Sequence, residues 1–105
     1  MNRFNLTVQI GRLQLKNPVM PASGAFGHEM QDLIDFNQLG AVVPKSITKY
    51  PRGGNETPRV CEVNGGMINS IGIQSKGLTH YLNNIIPAYK DFDTPLIASI
   101  SADSV

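Results

Sequence analysis

Asn17-Pro18-Val19-Met20-Pro21-Ala22-Ser23-Gly24 is the stretch on which the fold turns. Its short apolar run, bounded by prolines, is what a buried strand of a parallel sheet looks like. Ser23-Gly24-Ala25-Phe26-Gly27 then reads as a small-residue turn. Two further runs of the same kind follow, Ala41-Val42-Val43, ended by Pro44-Lys45-Ser46, and Pro95-Leu96-Ile97-Ala98-Ser99-Ile100. Between the first two, Met30, Leu33, Ile34 and Phe36 recur at helical spacing over Glu29 to Leu39. Gly40 stands where a helix C-terminal glycine belongs. Between the second and third, Leu78, Leu82, Ile85, Ile86 and Tyr89 mark an amphipathic helix over Leu78 to Tyr89. Short apolar strands alternating with helices predict an α/β fold with a parallel sheet and right-handed crossovers.

Upstream, Leu6, Val8 and Ile10 alternate with Asn5, Thr7 and Gln9. Leu13 and Leu15 alternate with Gln14 and Lys16 after Gly11-Arg12, which predicts a β-hairpin ahead of the sheet. An open parallel sheet that stops at a third strand leaves apolar surface and an unpaired edge. The 105 residues are therefore expected to open a longer protein. A (β/α)8 barrel needs about 250 residues, so residues 1–105 would be its N-terminal part: the hairpin plus the first three strands.

The long connection from Ile47 to Gly77 carries most of the remaining glycine. Val60-Cys61-Glu62-Val63 can form a short strand within it. Asn64-Gly65-Gly66-Met67-Ile68-Asn69-Ser70-Ile71-Gly72-Ile73-Gln74-Ser75-Lys76-Gly77 is too apolar for a solvated linker. It reads as a loop folded inward, with Asn69 and Ser70 as polar contacts to something bound, or as a compact loop packed on the core.

Composition excludes several function classes. A hydrophobic fraction of 41% with 16% charged residues is that of a globular domain, and a net charge of +1 gives no field for nucleic acid or an anionic membrane. No apolar run approaches the roughly 20 residues that span a bilayer, and Met1-Asn2-Arg3-Phe4-Asn5 lacks a signal-peptide core. The single cysteine, Cys61, allows no internal disulfide and no metal-ligand spacing, which fits a cytoplasmic setting.

Ligands of parallel α/β folds bind at the carboxyl ends of the strands. Ala22-Ser23-Gly24, Lys45-Ser46 and Ser99-Ile100-Ser101 fall there, and the Gly65 to Gly77 loop belongs to the same face. A small-residue turn admits a flat ligand against the backbone. A lysine supplies a cation for an electron-rich ring or a carboxylate, and Asn69 offers both a donor and an acceptor. Each also has a plainer reading, as a turn, a solvated lysine and a loop cap. No phosphate loop, dinucleotide fingerprint or Ser-His-Asp set is present, and His28 and His80 lie away from the strand ends.

Asn17-Pro18, Pro21-Ala22-Ser23-Gly24, Lys45-Ser46, Pro51-Arg52, Gly54-Asn55, Thr57-Pro58-Arg59 and Asn69-Ser70-Ile71-Gly72 together resemble the N-terminal part of dihydroorotate dehydrogenases. These are FMN-containing (β/α)8 barrels of pyrimidine biosynthesis. The resemblance points to the class 1 enzymes, which act in the cytoplasm without a membrane anchor. Gln74 points to the NAD-linked subclass, whose partner subunit carries FAD and an iron–sulfur cluster. It implies a homodimer, with dihydroorotate and orotate as substrate and product. Ala22, Ser23 and Gly24 would lie against the flavin, Lys45 would touch flavin and orotate, and Ser46 would lie beside the flavin. Asn69 would hydrogen-bond the pyrimidine, and the main chain of Ser70, Ile71, Gly72 and Ile73 would receive its carboxylate and ring atoms. Ser99 stands where the family usually has asparagine, a shorter reach to the cofactor. No catalytic residue is expected within the chain, because the family's general base, a cysteine in class 1, lies on a later loop beyond Val105. A related flavin barrel such as the pyrimidine-reducing domain of dihydropyrimidine dehydrogenase, and a non-catalytic half-barrel completed by a partner chain, stay open as alternatives.

Overall fold

A computed structural model describes residues 4–104. Met1-Asn2-Arg3, part of the N-terminal stretch read above for a leader, and Val105 lie outside the described residues. The chain is mixed α/β. Strands β1 (Val8–Ile10) and β2 (Leu13–Leu15) pair antiparallel across Gly11-Arg12, with Val8 opposite Leu15 and Ile10 opposite Leu13. Leu15 is buried. The next residue ties the ribbon down: Lys16 Nζ donates to the carbonyls of Asn37 (2.7 Å) and Asp93 (2.8 Å). Both acceptors lie just before an apolar segment, so the ribbon sits at the amino ends of the parallel segments.

Those segments run side by side. Gly40 N–H bonds Val19 O and Gly24 N–H bonds Val43 O. Val42 and Ile47 join the third segment through parallel bridges to Leu96 and Ile100. The second segment is therefore central, flanked by residues 19–24 and 95–101. Burial follows this order. Ala41 and Val42 are sealed, whereas Val19 (56% exposed) and Ile100 (81%) are not. The expectation of buried flanking strands is corrected accordingly: among the described residues each flanking segment is hydrogen-bonded on one side only.

The helix expected over Glu29 to Leu39 is replaced by two 3₁₀ turns, His28–Asp32 and Phe36–Gln38. Asp35 breaks the run, its carboxylate accepting from Asn37 N–H and from Asn37 Nδ2, both at 3.0 Å. Such local side-chain bonds compete with a helix. Tertiary contact then decides. Phe36 is fully buried, stacked on Tyr89 with centroids 6.0 Å apart and tilted against Phe92 at 5.1 Å. The carbonyl of Phe36 accepts from Thr94. Gly40 is no helix cap. A Cβ there would overlap the carbonyl of Asn17, so glycine allows the first segment to approach the second.

The second helix is present but distorted. It comprises α1 (Gly77–His80), a π turn (Tyr81–Ile85) and α2 (Ile86–Tyr89). Pro87 is the cause. It lacks an N–H, and its ring would meet the carbonyl four residues earlier in a regular helix; the wider turn relieves that clash, and Ile86 N–H bonds Tyr81 O instead. The extra residue in the turn shifts the phase of the helix. Tyr81 and Tyr89 are buried, while Leu82 (53%), Leu78 (40%) and Ile86 (39%) are largely exposed. The expected face, with Leu78, Leu82 and Ile86 inward, is thus corrected.

The connection between the second segment and α1 contains a second ribbon, β3 (Val60–Val63) and β4 (Gly66–Asn69), antiparallel across Asn64-Gly65. All eight strand residues are exposed. The inward-folded or core-packed loop is corrected here, because residues 66–69 form half of a projecting ribbon. The flanking chain is closed at its base where Arg52 and Ser75 exchange two backbone hydrogen bonds (2.7 and 2.9 Å).

Candidate functional site

Three hydroxyls meet at the carboxyl ends of the parallel segments. Ser23 Oγ lies 3.0 Å from Ser46 Oγ, which lies 2.7 Å from Ser99 Oγ. Ser23 Oγ also donates to the carbonyl of Pro44 at 3.2 Å. Beside this row, Gly24 (φ 73°) lies under Lys45. A Cβ at Gly24 would stand 2.6 Å from Lys45 Cδ and 3.1 Å from its Cα, so only glycine admits the lysine stem here. The Lys45 side chain is exposed, and its ammonium has no hydrogen-bonding or acidic partner among the described residues.

Gly24, Lys45 and Ser46 form one wall of a cavity of about 550 Å³. His80, Tyr81 and Tyr89 face them from the helix, and Gln74 to Gly77 close one side. Burial raises the pKa of the Tyr81 hydroxyl above its ordinary value. Tyr89 is raised as well, by burial first and then by the Glu29 carboxylate and Tyr81, against a smaller opposing effect of the His28 backbone. Both hydroxyls stay neutral at physiological pH. Tyr89 Oη donates a long bond to Phe26 O (3.4 Å), whereas Tyr81 Oη, buried, has no partner among the described residues.

The connection behaves differently. Asn69 ends β4 opposite Val60 and is exposed. Residues 70 and 71 are held by Asn55, whose side-chain Nδ2 donates to Ser70 Oγ (2.8 Å) and Ser70 O (3.1 Å) and whose N–H donates to Ile71 O (3.0 Å). Ile73 has φ 51°, a left-handed conformation that is unusual for a β-branched residue. Residues Asn69 to Ile73 do not line the cavity; Gln74 and Ser75 of the same loop do. The structure thus brings together Ser23, Gly24, Lys45, Ser46 and Ser99, with Ala22 in the turn just before them through its bond from Ala25 N–H. Asn55, quoted above only within the resemblance, is the residue to which sequence reasoning gave no role. An asparagine beside Gly53-Gly54 is a turn-forming signal that could have flagged it.

Cys61 is exposed on β3, its thiol directed at the Glu62 carbonyl, and takes no part in this wall. Among the described residues, no group of three or more His, Cys, Asp or Glu side chains is placed to hold a metal, and no helix is long and apolar enough to cross a membrane.

A family profile for dihydroorotate dehydrogenase matches residues 5–105. The chain belongs to the dihydroorotate dehydrogenase family. It is 53% identical over 104 residues to the dihydroorotate dehydrogenase B (NAD(+)) catalytic subunit of Carboxydothermus hydrogenoformans, covering 97% of this chain and 34% of that protein. The protein of the same name from Listeria monocytogenes is 50% identical over 103 residues, 96% of this chain and 33% of the relative. The chain therefore spans about a third of the length of the relatives it matches. Among solved structures, a dihydroorotate dehydrogenase from Eimeria tenella in complex with ferulenol superposes with a TM-score of 0.58 at 23% identity. That match covers 91% of this chain and 28% of that one, a likeness of fold.

Proposed function

We propose that residues 1–105 are the N-terminal part of a single FMN-binding (β/α)8 barrel, entered through the β1–β2 hairpin. The whole protein would be the catalytic subunit of a class 1, NAD-linked dihydroorotate dehydrogenase. It would oxidise dihydroorotate to orotate for pyrimidine biosynthesis in the cytoplasm, as a homodimer joined by an electron-transfer subunit carrying FAD and an iron–sulfur cluster. The observation that carries this reading is the strand-end surface, where the stem of a lysine with an unpartnered ammonium lies over a glycine next to three linked serine hydroxyls.

That surface suits FMN. Ala22, Ser23 and Gly24 form a low wall on which a flat ring can rest, and Ser46 and Ser99 supply hydroxyl oxygens at its margin. When bound, FMN would supply a two-electron acceptor for the hydride lost by the substrate. Lys45 would hold a fixed positive charge where negative charge grows during the reaction, a preorganised interaction worth most when water is excluded. Asn69 would orient the pyrimidine ring. The main-chain groups of Ser70, Ile71, Gly72 and Ile73, the first two residues bonded to Asn55, would receive its carboxylate and ring atoms. The general base belongs to the part of the family fold outside these residues, and Cys61 has no share in it.

The test uses the full-length protein. Bound FMN should bleach on anaerobic addition of dihydroorotate, and Asn69→Ala should raise the KM for dihydroorotate while leaving FMN content at the wild-type level. A flavin-loaded protein that dihydroorotate fails to reduce would end this reading; unchanged kinetics in the variant would return the loop to a structural role.

A further inference from the structure

The three linked hydroxyls leave one self-consistent arrangement of their hydrogens. A carbonyl only accepts, and each serine has a single O–H to give. Pro44 is buried, and among the described residues Ser23 is the donor that reaches its carbonyl, at 3.2 Å. A buried carbonyl left unpaired is costly. Ser23 therefore gives its hydrogen to Pro44. Ser46, at 3.0 Å, must then donate to Ser23, and Ser99, at 2.7 Å, must donate to Ser46. The row is polarised from Ser99 to Pro44. Its open end, Ser99 Oγ, has spent its hydrogen and keeps its lone pairs.

We infer that Ser99 is an obligate acceptor at the strand ends, that Ser23 is a positioning residue acting on it through Ser46, and that the row selects a planar heterocycle presenting a ring N–H. The inference rests on the flavin reading above and deepens it. A free serine rotates its hydrogen to suit donors and acceptors alike; a polarised row removes that freedom, and each link strengthens the next. Oxidised isoalloxazine has one ring N–H, at N3, and the dihydropyrimidine ring has N–H groups at N1 and N3. Either fits an acceptor, and a ring edge with only lone pairs would be refused.

The experiment removes FMN from the full-length protein and titrates back FMN or its N3-methyl analogue. Wild type should bind the analogue roughly tenfold more weakly, the effect of one hydrogen bond lost with its acceptor left unpaired. Ser99→Ala should bind both alike. Ser23→Ala, which leaves the space around Ser99 untouched but frees Ser46 to donate toward it, should also lose the discrimination, and Ser23→Thr should restore it. If FMN and its analogue bind equally to wild type while N-methylated orotates inhibit more weakly than orotate, and Ser99→Ala abolishes that difference, the pyrimidine supplies the N–H and the inference stands. Equal binding in both series, or discrimination that persists in Ser23→Ala, overturns it. A full-length protein that takes no FMN overturns the flavin reading and this inference together, whereas FMN bound without a methyl penalty in either series overturns this inference alone.

Discussion

Replacing Gly24 with alanine tests the link between the turn and Lys45 directly. Gly24 has φ 73°, where an L-residue costs about 1–2 kcal/mol. The new Cβ would also stand 2.6 Å from Lys45 Cδ and 3.1 Å from Lys45 Cα. The side chain can swing aside into a poorer rotamer for about 0.5–1.5 kcal/mol, while the backbone contact stays tight. The sum is about 1.5–3.5 kcal/mol. Gly11→Ala is the matched control, since Gly11 has φ 56° with no atom within 4 Å of the added Cβ, so it bears the backbone term alone. At about 2–4 °C per kcal/mol for a domain of 150–250 residues, the lysine term alone should make Gly24→Ala unfold about 1–6 °C below Gly11→Ala in the full-length protein. Only the Gly24 variant should lose affinity for FMN, because only it displaces the lysine. Equal melting temperatures for the two variants, with FMN binding unchanged in both, would refute the reasoning.

Phe36→Ala empties a fully buried site between Tyr89 and Phe92 and should lower stability by about 3–5 kcal/mol in a denaturant titration. Tyr81→Phe removes a buried hydroxyl with no partner and should leave stability unchanged or raised by about 1 kcal/mol. Tyr81 and Tyr89 hold their protons more tightly folded than unfolded. Their contribution is full below about pH 10 and is lost as pH climbs through the raised folded values, so urea midpoints should begin to fall only above about pH 10. Asn55→Ala removes both side-chain bonds to Ser70 while its backbone bond to Ile71 O remains, and should raise the KM for dihydroorotate with FMN content intact, as read by steady-state kinetics and flavin absorbance.

The parallel arrangement was legible because short apolar runs ending in small or cationic residues are a local signal. Their pairing then brings Ser23, Ser46 and Ser99 together as the strand-end rule expects. What sequence could not supply was contact made at a distance. Apolar spacing over Glu29 to Leu39 imitates a helix, but Asp35 captures Asn37 and the aromatic partners of Phe36 arrive more than fifty residues later. Met67 and Ile68 suggested an inward loop, yet β4 pairs with β3 and both strands stay exposed, a pairing for which Asn64-Gly65 was the available clue. Pro87 was also visible, but the expected helix ran through it as though regular, and the effect of its missing N–H on the helix face went unread. The role of Asn55 depends on a loop closing on itself and has no periodic signature.

The wide turn before Pro87 also takes up one residue, so Tyr81 and Tyr89, eight positions apart, stand nearly in line as residues seven apart do in a regular helix. Length and proline are therefore coupled. Deleting one residue from Leu82 to Ile85 restores ordinary spacing but drives the proline ring into the preceding carbonyl, and Pro87→Ala alone invites a regular helix that rotates Tyr89 by about 100° relative to Tyr81. Made together, the two changes cancel, so this helix can gain or lose a residue only in step with its proline.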